Sequence, residues 1–149
     1  MGDGVCPFTQ CKVMNIIETT PHIFWTCPKI QDILFWIGKT VQYLTKDKII
    51  FNIDLFLYGF PDTNITKGIF HRIWLLFCIT KFAIWKSRCL HVFEAQVQTS
   101  SVLLSIIEHE IRLRVESDFN RFHLDKFEKM WINGTSFVKI KHGKLVFNL

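Results

Sequence analysis

From Ile69 to Trp85 the chain is apolar on nearly every side of the helix it would form, and this stretch restricts the available folds more than any other feature. His71, Arg72 and Lys81 interrupt it, and its longest clean run is Ile73 to Ile79. A helix that is hydrophobic all round has to be enclosed by its surroundings. Crossing a bilayer takes ~20 predominantly apolar residues, which the interruptions deny. The stretch therefore predicts a central core helix, from about Thr66 to about Glu94, and no membrane partner.

Its neighbours follow from periodicity. A helix should begin at Pro28-Lys29, where proline costs no hydrogen bond, and run to about Leu44. Ile30, Ile33, Leu34, Ile37, Val41 and Leu44 recur at helical spacing and form one buried stripe, with Gly38 as a weak point. Residues 45–65 read as a connection, with Ile49-Ile50-Phe51 as a short extended piece and Tyr58 to Asp62 as a turn. Thr99 or Ser100 caps a third helix reaching about Trp131, with Val102, Ile106, Leu113, Phe119, Phe122 and Trp131 inward. Its outer face pairs Glu108 with Arg112, Glu110 with Arg114 and Asp125 with Lys129, acid first. Gly134 closes it. β-branched residues on both sides of His142-Gly143 predict a hairpin within Phe137 to Phe147.

The expected fold is mainly α: three principal helices, an irregular zinc-knuckle-like N-terminal segment and a C-terminal β-hairpin. The expected division is 1–29 for the knuckle-like segment, 30–134 for the helical domain and 135–149 for the tail. Apolar residues at 49%, with 15 Phe and 5 Trp, supply a core, and 21% charged residues argue against disorder. Five cysteines is an odd number, and no secretory leader precedes them, so no disulfide framework is expected. The expected location is intracellular, in nucleus or cytoplasm, and not secreted. The sequons at Asn64 and Asn133 then carry no weight. A net charge of +5 suits a polyanionic partner.

The sharpest local pattern is Cys6-Pro7-Phe8-Thr9-Gln10-Cys11 followed by His22-Ile23-Phe24-Trp25-Thr26-Cys27. Structural zinc takes four nitrogen or sulfur ligands, and close ligand pairs on two turns meet that demand. A thiolate-rich set favours zinc over magnesium or calcium. Cys6, Cys11, His22 and Cys27 are the candidate ligands. The alternative is plain core packing, since cysteine is among the most buried residue types and His22 neighbours Phe24 and Trp25. Cys78 and Cys89 read as core or helix-surface residues, and His71, His91, His109, His123 and His142 receive no role.

Glu18-Thr19-Thr20-Pro21-His22-Ile23-Phe24-Trp25-Thr26-Cys27-Pro28-Lys29-Ile30, with Phe35-Trp36 after it, resembles the zinc-binding segment near the C-terminus of LINE-type (non-LTR) retrotransposon reverse transcriptase proteins. The run from Trp74 to Arg88, ending Lys81-Phe82-Ala83-Ile84-Trp85-Lys86-Ser87-Arg88, is similar to a downstream helix of fish and amphibian elements. Val115 to Phe122 and Lys126 to Trp131 add a looser likeness. The family places its leading cysteines closer together and nearer the Glu-Thr, whereas Lys12 to Ile17 lengthen the loop here.

The resemblance implies a nucleic-acid-binding remnant whose polymerase and endonuclease domains would lie upstream. No acidic pair of a polymerase palm, Ser/His/Asp grouping, Gly-rich phosphate loop or metalloprotease motif is present, so no enzyme is expected. RNA or single-stranded DNA would stack on Trp25 and Phe24 and meet Lys12 and Lys29. Lys81, Lys86 and Arg88 form a second candidate basic stripe. A protein-interaction or self-associating module, a small redox enzyme using Cys6 or Cys11, and a non-functional fragment stand as alternatives.

Overall fold

In the computed structural model, which describes residues 4–59 and 65–149, the elements are α1 (Thr9–Val13), α2 (Gln31–Thr45), α3 (Ile53–Tyr58), α4 (Lys67–Glu94), α5 (Ser100–Arg121), α6 (Leu124–Phe127), β1 (Val138–Lys141) and β2 (Lys144–Phe147). π-helical turns lie at His22–Thr26 and Glu128–Ile132, and a 3-10 turn at Pro28–Ile30 leads into α2. The fold is mainly α, with three principal helices and a C-terminal hairpin.

Side-chain caps set the starts of the long helices. Thr66 accepts from the N–H of Ile69 and Thr99 from that of Val102, both at 3.3 Å. α4 occupies the centre, as its composition demands, and packs against α2, α5 and the Glu128–Ile132 turn. The whole expected stripe of α2 is buried, from Ile30 to Leu44. Gly38 leaves room for the Phe51 ring, which would lie 3.2 Å from any added Cβ.

The connection after α2 is more structured than its sequence suggests. It contains α3, which Asn52 caps by accepting from the N–H of Leu55 at 2.9 Å. Among the described residues Ile49-Ile50-Phe51 pairs with no strand; Ile49 is buried and Phe51 packs on the core while Ile50 faces out. The expected turn begins at Gly59 (φ 76°), and its Phe60 to Asp62 portion lies outside the described residues.

The third helix ends at Arg121 instead of Trp131, because Phe122 is extended (φ −101°, ψ 152°). A continuous helix would carry Trp131 about 20 Å beyond Asp118. The break turns the chain back, so that the Trp131 indole donates to Asp118 at 3.1 Å and Phe127 meets Phe119 at 5.0 Å between centroids. The buried face of α5 is Leu103, Ile107, Ile111, Val115 and Asp118, while Val102 and Leu113 are exposed. Leu103 opens an unbroken i, i+4 apolar series, and that series sets the helix rotation. Among the described residues none of the three expected acid-first pairs forms. Arg114 instead reaches Asp118 at 3.3 Å, and Arg112 lies over the Phe147 ring at 4.6 Å.

The hairpin turns at His142 (φ 51°) and Gly143 (φ 73°), two successive positive φ angles that suit a tight antiparallel turn. Its register places Val138 opposite Phe147 and Ile140 opposite Leu145 on the face packed against the core.

Arg72 fastens the hairpin end to α4. Its fully buried guanidinium donates to the carbonyls of Met130 (2.9 Å), Asn133 (2.8 Å) and Thr135 (2.9 Å). These carbonyls surround the C-terminal end of the π-turn, where backbone acceptors lack helical partners and the dipole favours a cation. Burial pushes the Arg72 pKa down to about 10, so the group stays charged at neutral pH. A Cβ on Gly68 would lie 2.1 Å from the Lys129 carbonyl oxygen, so glycine is what permits this close approach.

By length and composition alone α4 meets the requirement for a bilayer span, despite the interruptions noted in the sequence. One side of it faces the core. The other leaves Phe82, Trp85, Val92 and Phe93 exposed, so the apolar helix is only partly enclosed.

Candidate metal centre

The N-terminal segment doubles back on itself. Val5 bridges to Ile17, the Cys6 N–H donates to the Ile16 carbonyl at 2.9 Å, and the Glu18 N–H donates to that of Gly4 at 2.8 Å. Cys6 stands on the outgoing arm and Cys11 in α1 at the tip.

The second pair is set by the π-turn at His22–Thr26. Thr19 Oγ1 accepts from the His22 N–H at 3.2 Å, and the Cys27 N–H closes the turn on the His22 carbonyl at 2.9 Å. Cys27 then leaves helical geometry (ψ 125°), as a residue before proline tends to. Gln31 Nε2 holds the exit by donating to the carbonyls of Trp25 (2.8 Å) and Cys27 (3.0 Å).

These two halves bring Cys6, Cys11, His22 and Cys27 together, with one ligand atom from each, all within 4.8 Å of one another. The Sγ atoms of Cys11 and Cys27 are 3.8 Å apart. All four side chains are buried. His22 Nδ1 lies 3.2 Å from the Thr26 hydroxyl, while Nε2 is buried without a hydrogen-bond partner. A buried polar atom left unpaired is costly and calls for an explanation; an ion among the thiols supplies one. Burial, and the neighbouring thiols after it, push the Cys27 pKa up to about 12, and burial also raises that of Cys6. The four side chains can hold a metal ion, which would displace the thiol protons. Among the described residues no other group of three or more His, Cys, Asp or Glu side chains converges in this way.

The centre is fastened to the C-terminal half of α4. The Arg88 guanidinium makes a bidentate ion pair with the Glu18 carboxylate. His91 Nε2 donates to the Pro7 carbonyl at 3.1 Å, and its ring lies 5.0 Å from that of Phe8.

The expected nucleic-acid contacts fare differently. Lys12 and Lys86 are exposed. Lys29 is half-buried, its ammonium 5.8 Å from the Phe8 ring centroid. Trp25 is half-buried against Phe51 and Phe56, at 5.1 and 6.3 Å, and Phe24 also packs on the core. Lys81 lies over Trp74 at 4.8 Å and reaches the Leu57 carbonyl at 3.5 Å. Arg88 is occupied by Glu18. Lys81 and Arg88 share a helix face, but Lys86 sits ~140° around from Lys81 and lines the groove between α4 and α5. Lys81, Lys86 and Arg88 therefore do not make one basic stripe.

The sequence carries no local sign of the Arg72, Trp131–Asp118 or Glu18–Arg88 contacts, since each joins residues that no periodicity relates. Comparison with family models, curated proteins and solved structures finds no match.

Proposed function

We propose that the chain is a zinc-stapled helical module that binds nucleic acid, related to the C-terminal region of a LINE-type reverse transcriptase protein. The observation that carries it is the convergence of three thiols and one imidazole on a single buried point. Zinc–sulfur bonds of about 2.3 Å place tetrahedral sulfurs about 3.8 Å apart, and Cys11 and Cys27 stand at 3.8 Å. An oxygen-free ligand set suits zinc and not magnesium or calcium. Four protein ligands, all buried, leave no open coordination position, which is the pattern of a structural ion. Cys6, Cys11 and Cys27 would hold it as thiolates and His22 through Nε2, with the Thr26 hydroxyl fixing the ring from the other side.

The net charge of +5 and the resemblance of residues 18–36 and 74–88 support nucleic acid as partner. Protein purified under reducing conditions should carry one zinc per chain, and Cys27→Ser and His22→Ala should lose it. Affinity for generic single-stranded RNA should fall steeply with salt, because phosphate contacts release counterions. Zinc-free protein that stays folded, together with a flat salt response, would overturn the proposal.

A second function is favoured by one observation. Phe82, Trp85, Val92 and Phe93 leave an apolar stripe exposed along α4, and such stripes are commonly covered by a partner. Pairing with a second copy predicts dimers on sedimentation without nucleic acid, abolished by Phe82→Glu with Phe93→Glu. A monomer at all concentrations would exclude self-pairing.

A further inference from the structure

We propose that the outward face of the β1–β2 hairpin is the surface on which this chain meets the phosphate backbone of a single-stranded nucleic acid. The inference rests on the nucleic-acid function above and moves its main contact away from Trp25, Lys81 and Arg88, which are engaged within the fold.

The register fixes the face. Lys139 and Lys141 alternate on β1, Lys141 stands directly opposite Lys144 on β2, and Lys139 stands opposite Val146. All three lysines are exposed, and among the described residues none takes part in an ion pair. No Asp or Glu occurs after Glu128, so no acidic side chain from the hairpin itself neutralises them. Like charges directly opposite on paired strands destabilise the pairing. A polyanion removes that cost by supplying the missing counter-charge. Alternate residues on a strand lie about 6.7 Å apart, a spacing on the scale of neighbouring phosphates along one nucleic-acid strand.

The other face holds the lysines on a fixed platform. Val138 is fully buried, Ile140, Leu145 and Phe147 pack on the core, and Arg112 lies over the Phe147 ring. Acidic lipid is the poorer fit. Membrane-surface elements pair basic residues with Trp, Phe or Leu that enter the acyl boundary, whereas the apolar side chain on this face is Val146. The hairpin is anchored beside Arg72 and the metal centre beside Arg88, about 24 Å apart along α4. Contact with nucleic acid and binding of metal are thus separable.

The test is fluorescence anisotropy of a labelled 20-nucleotide single-stranded RNA with the zinc-loaded full chain. The variants are K139Q/K141Q/K144Q, its arginine counterpart K139R/K141R/K144R, and K12Q/K86Q. The triple Gln variant should bind at least about tenfold more weakly, and its log affinity–log salt slope should be shallower by about 2, as three lost contacts to a single strand require. The triple Arg variant should bind as the unmodified protein does, and K12Q/K86Q should change affinity less than about threefold. Melting temperature and zinc content verify that each variant is folded. If the triple Gln variant binds like the unmodified protein, the hairpin assignment is wrong and the nucleic-acid function survives. If the unmodified protein binds no RNA at low salt, both fall. Stronger binding to phosphatidylserine vesicles than to RNA would replace the nucleic acid with a lipid surface.

Discussion

At positions 72 and 88, about 24 Å apart on α4, an arginine fastens an irregular segment to the same helix, yet the two junctions differ in kind. Arg72 is self-sufficient: its guanidinium meets three backbone carbonyls, fully buried. At the other end, Arg88 and Glu18 tie down a segment whose interior is three thiols and a histidine with an unpartnered Nε2. One end closes through a guanidinium on backbone carbonyls, although His71 Nε2 and Thr135 Oγ1 stay without a hydrogen-bond partner there. The other gathers three thiols and an imidazole that a metal ion could join. Phe8, Ile16, Ile23, Phe24 and Trp25 of this segment are only partly buried against the core, so an ion would add to its order. The hairpin end instead buries Phe127, Trp131, Phe137 and Val138.

Chelation should separate the two ends most strongly. Structural zinc contributes folding free energy, about 10–16 kcal/mol apparent in small zinc-finger peptides. Removing it should expose amides of residues 5–30 to hydrogen exchange while those of 128–141 stay protected. Equal loss at both ends would erase the distinction. Next in size is Arg72→Met, which strands three buried carbonyls and should cost about 3–5 kcal/mol in denaturant unfolding, with the metal content unchanged. Gly68→Ala forces the Lys129 carbonyl away and should cost about 1–3 kcal/mol, again without touching the metal. The smallest effect is expected from Glu18→Gln. Loss of the largely buried, bidentate pair with Arg88 should cost about 1–2 kcal/mol, because glutamine still accepts one hydrogen bond from the guanidinium. A loss as large as that of Arg72→Met would mean that Glu18, and not metal, holds the N-terminal segment.

Where local pattern governs, the sequence was legible. The α2 stripe, the Thr99 cap, the extent of α4 and the hairpin about His142-Gly143 all follow from spacing and turn chemistry. The four converging side chains were visible as two close pairs, because residues that could share a metal from short turns keep short separations. α3 was missed because six residues carry too little periodicity to stand out from a connection. The break at Phe122 was missed because nothing local forbids a helix there; it is imposed by Trp131 reaching Asp118 and Phe127 reaching Phe119. The face of α5 was misjudged because Val102, Ile106 and Leu113 are as apolar as the residues that won. The basic stripe on α4 failed for a related reason: charge in sequence does not reveal which cations are already paired within the fold, as Arg88 is with Glu18.

Cobalt(II) titration of the reduced, zinc-free protein tests the central claim most directly. One equivalent should produce the intense visible bands of a tetrahedral thiolate-rich site together with thiolate-to-metal charge transfer, and zinc should bleach them. Cys27→Ser and His22→Ala should each abolish or shift that spectrum, and Arg72→Met should leave it intact. A featureless spectrum, or the pale bands of octahedral cobalt, would contradict a metal centre built from Cys6, Cys11, His22 and Cys27.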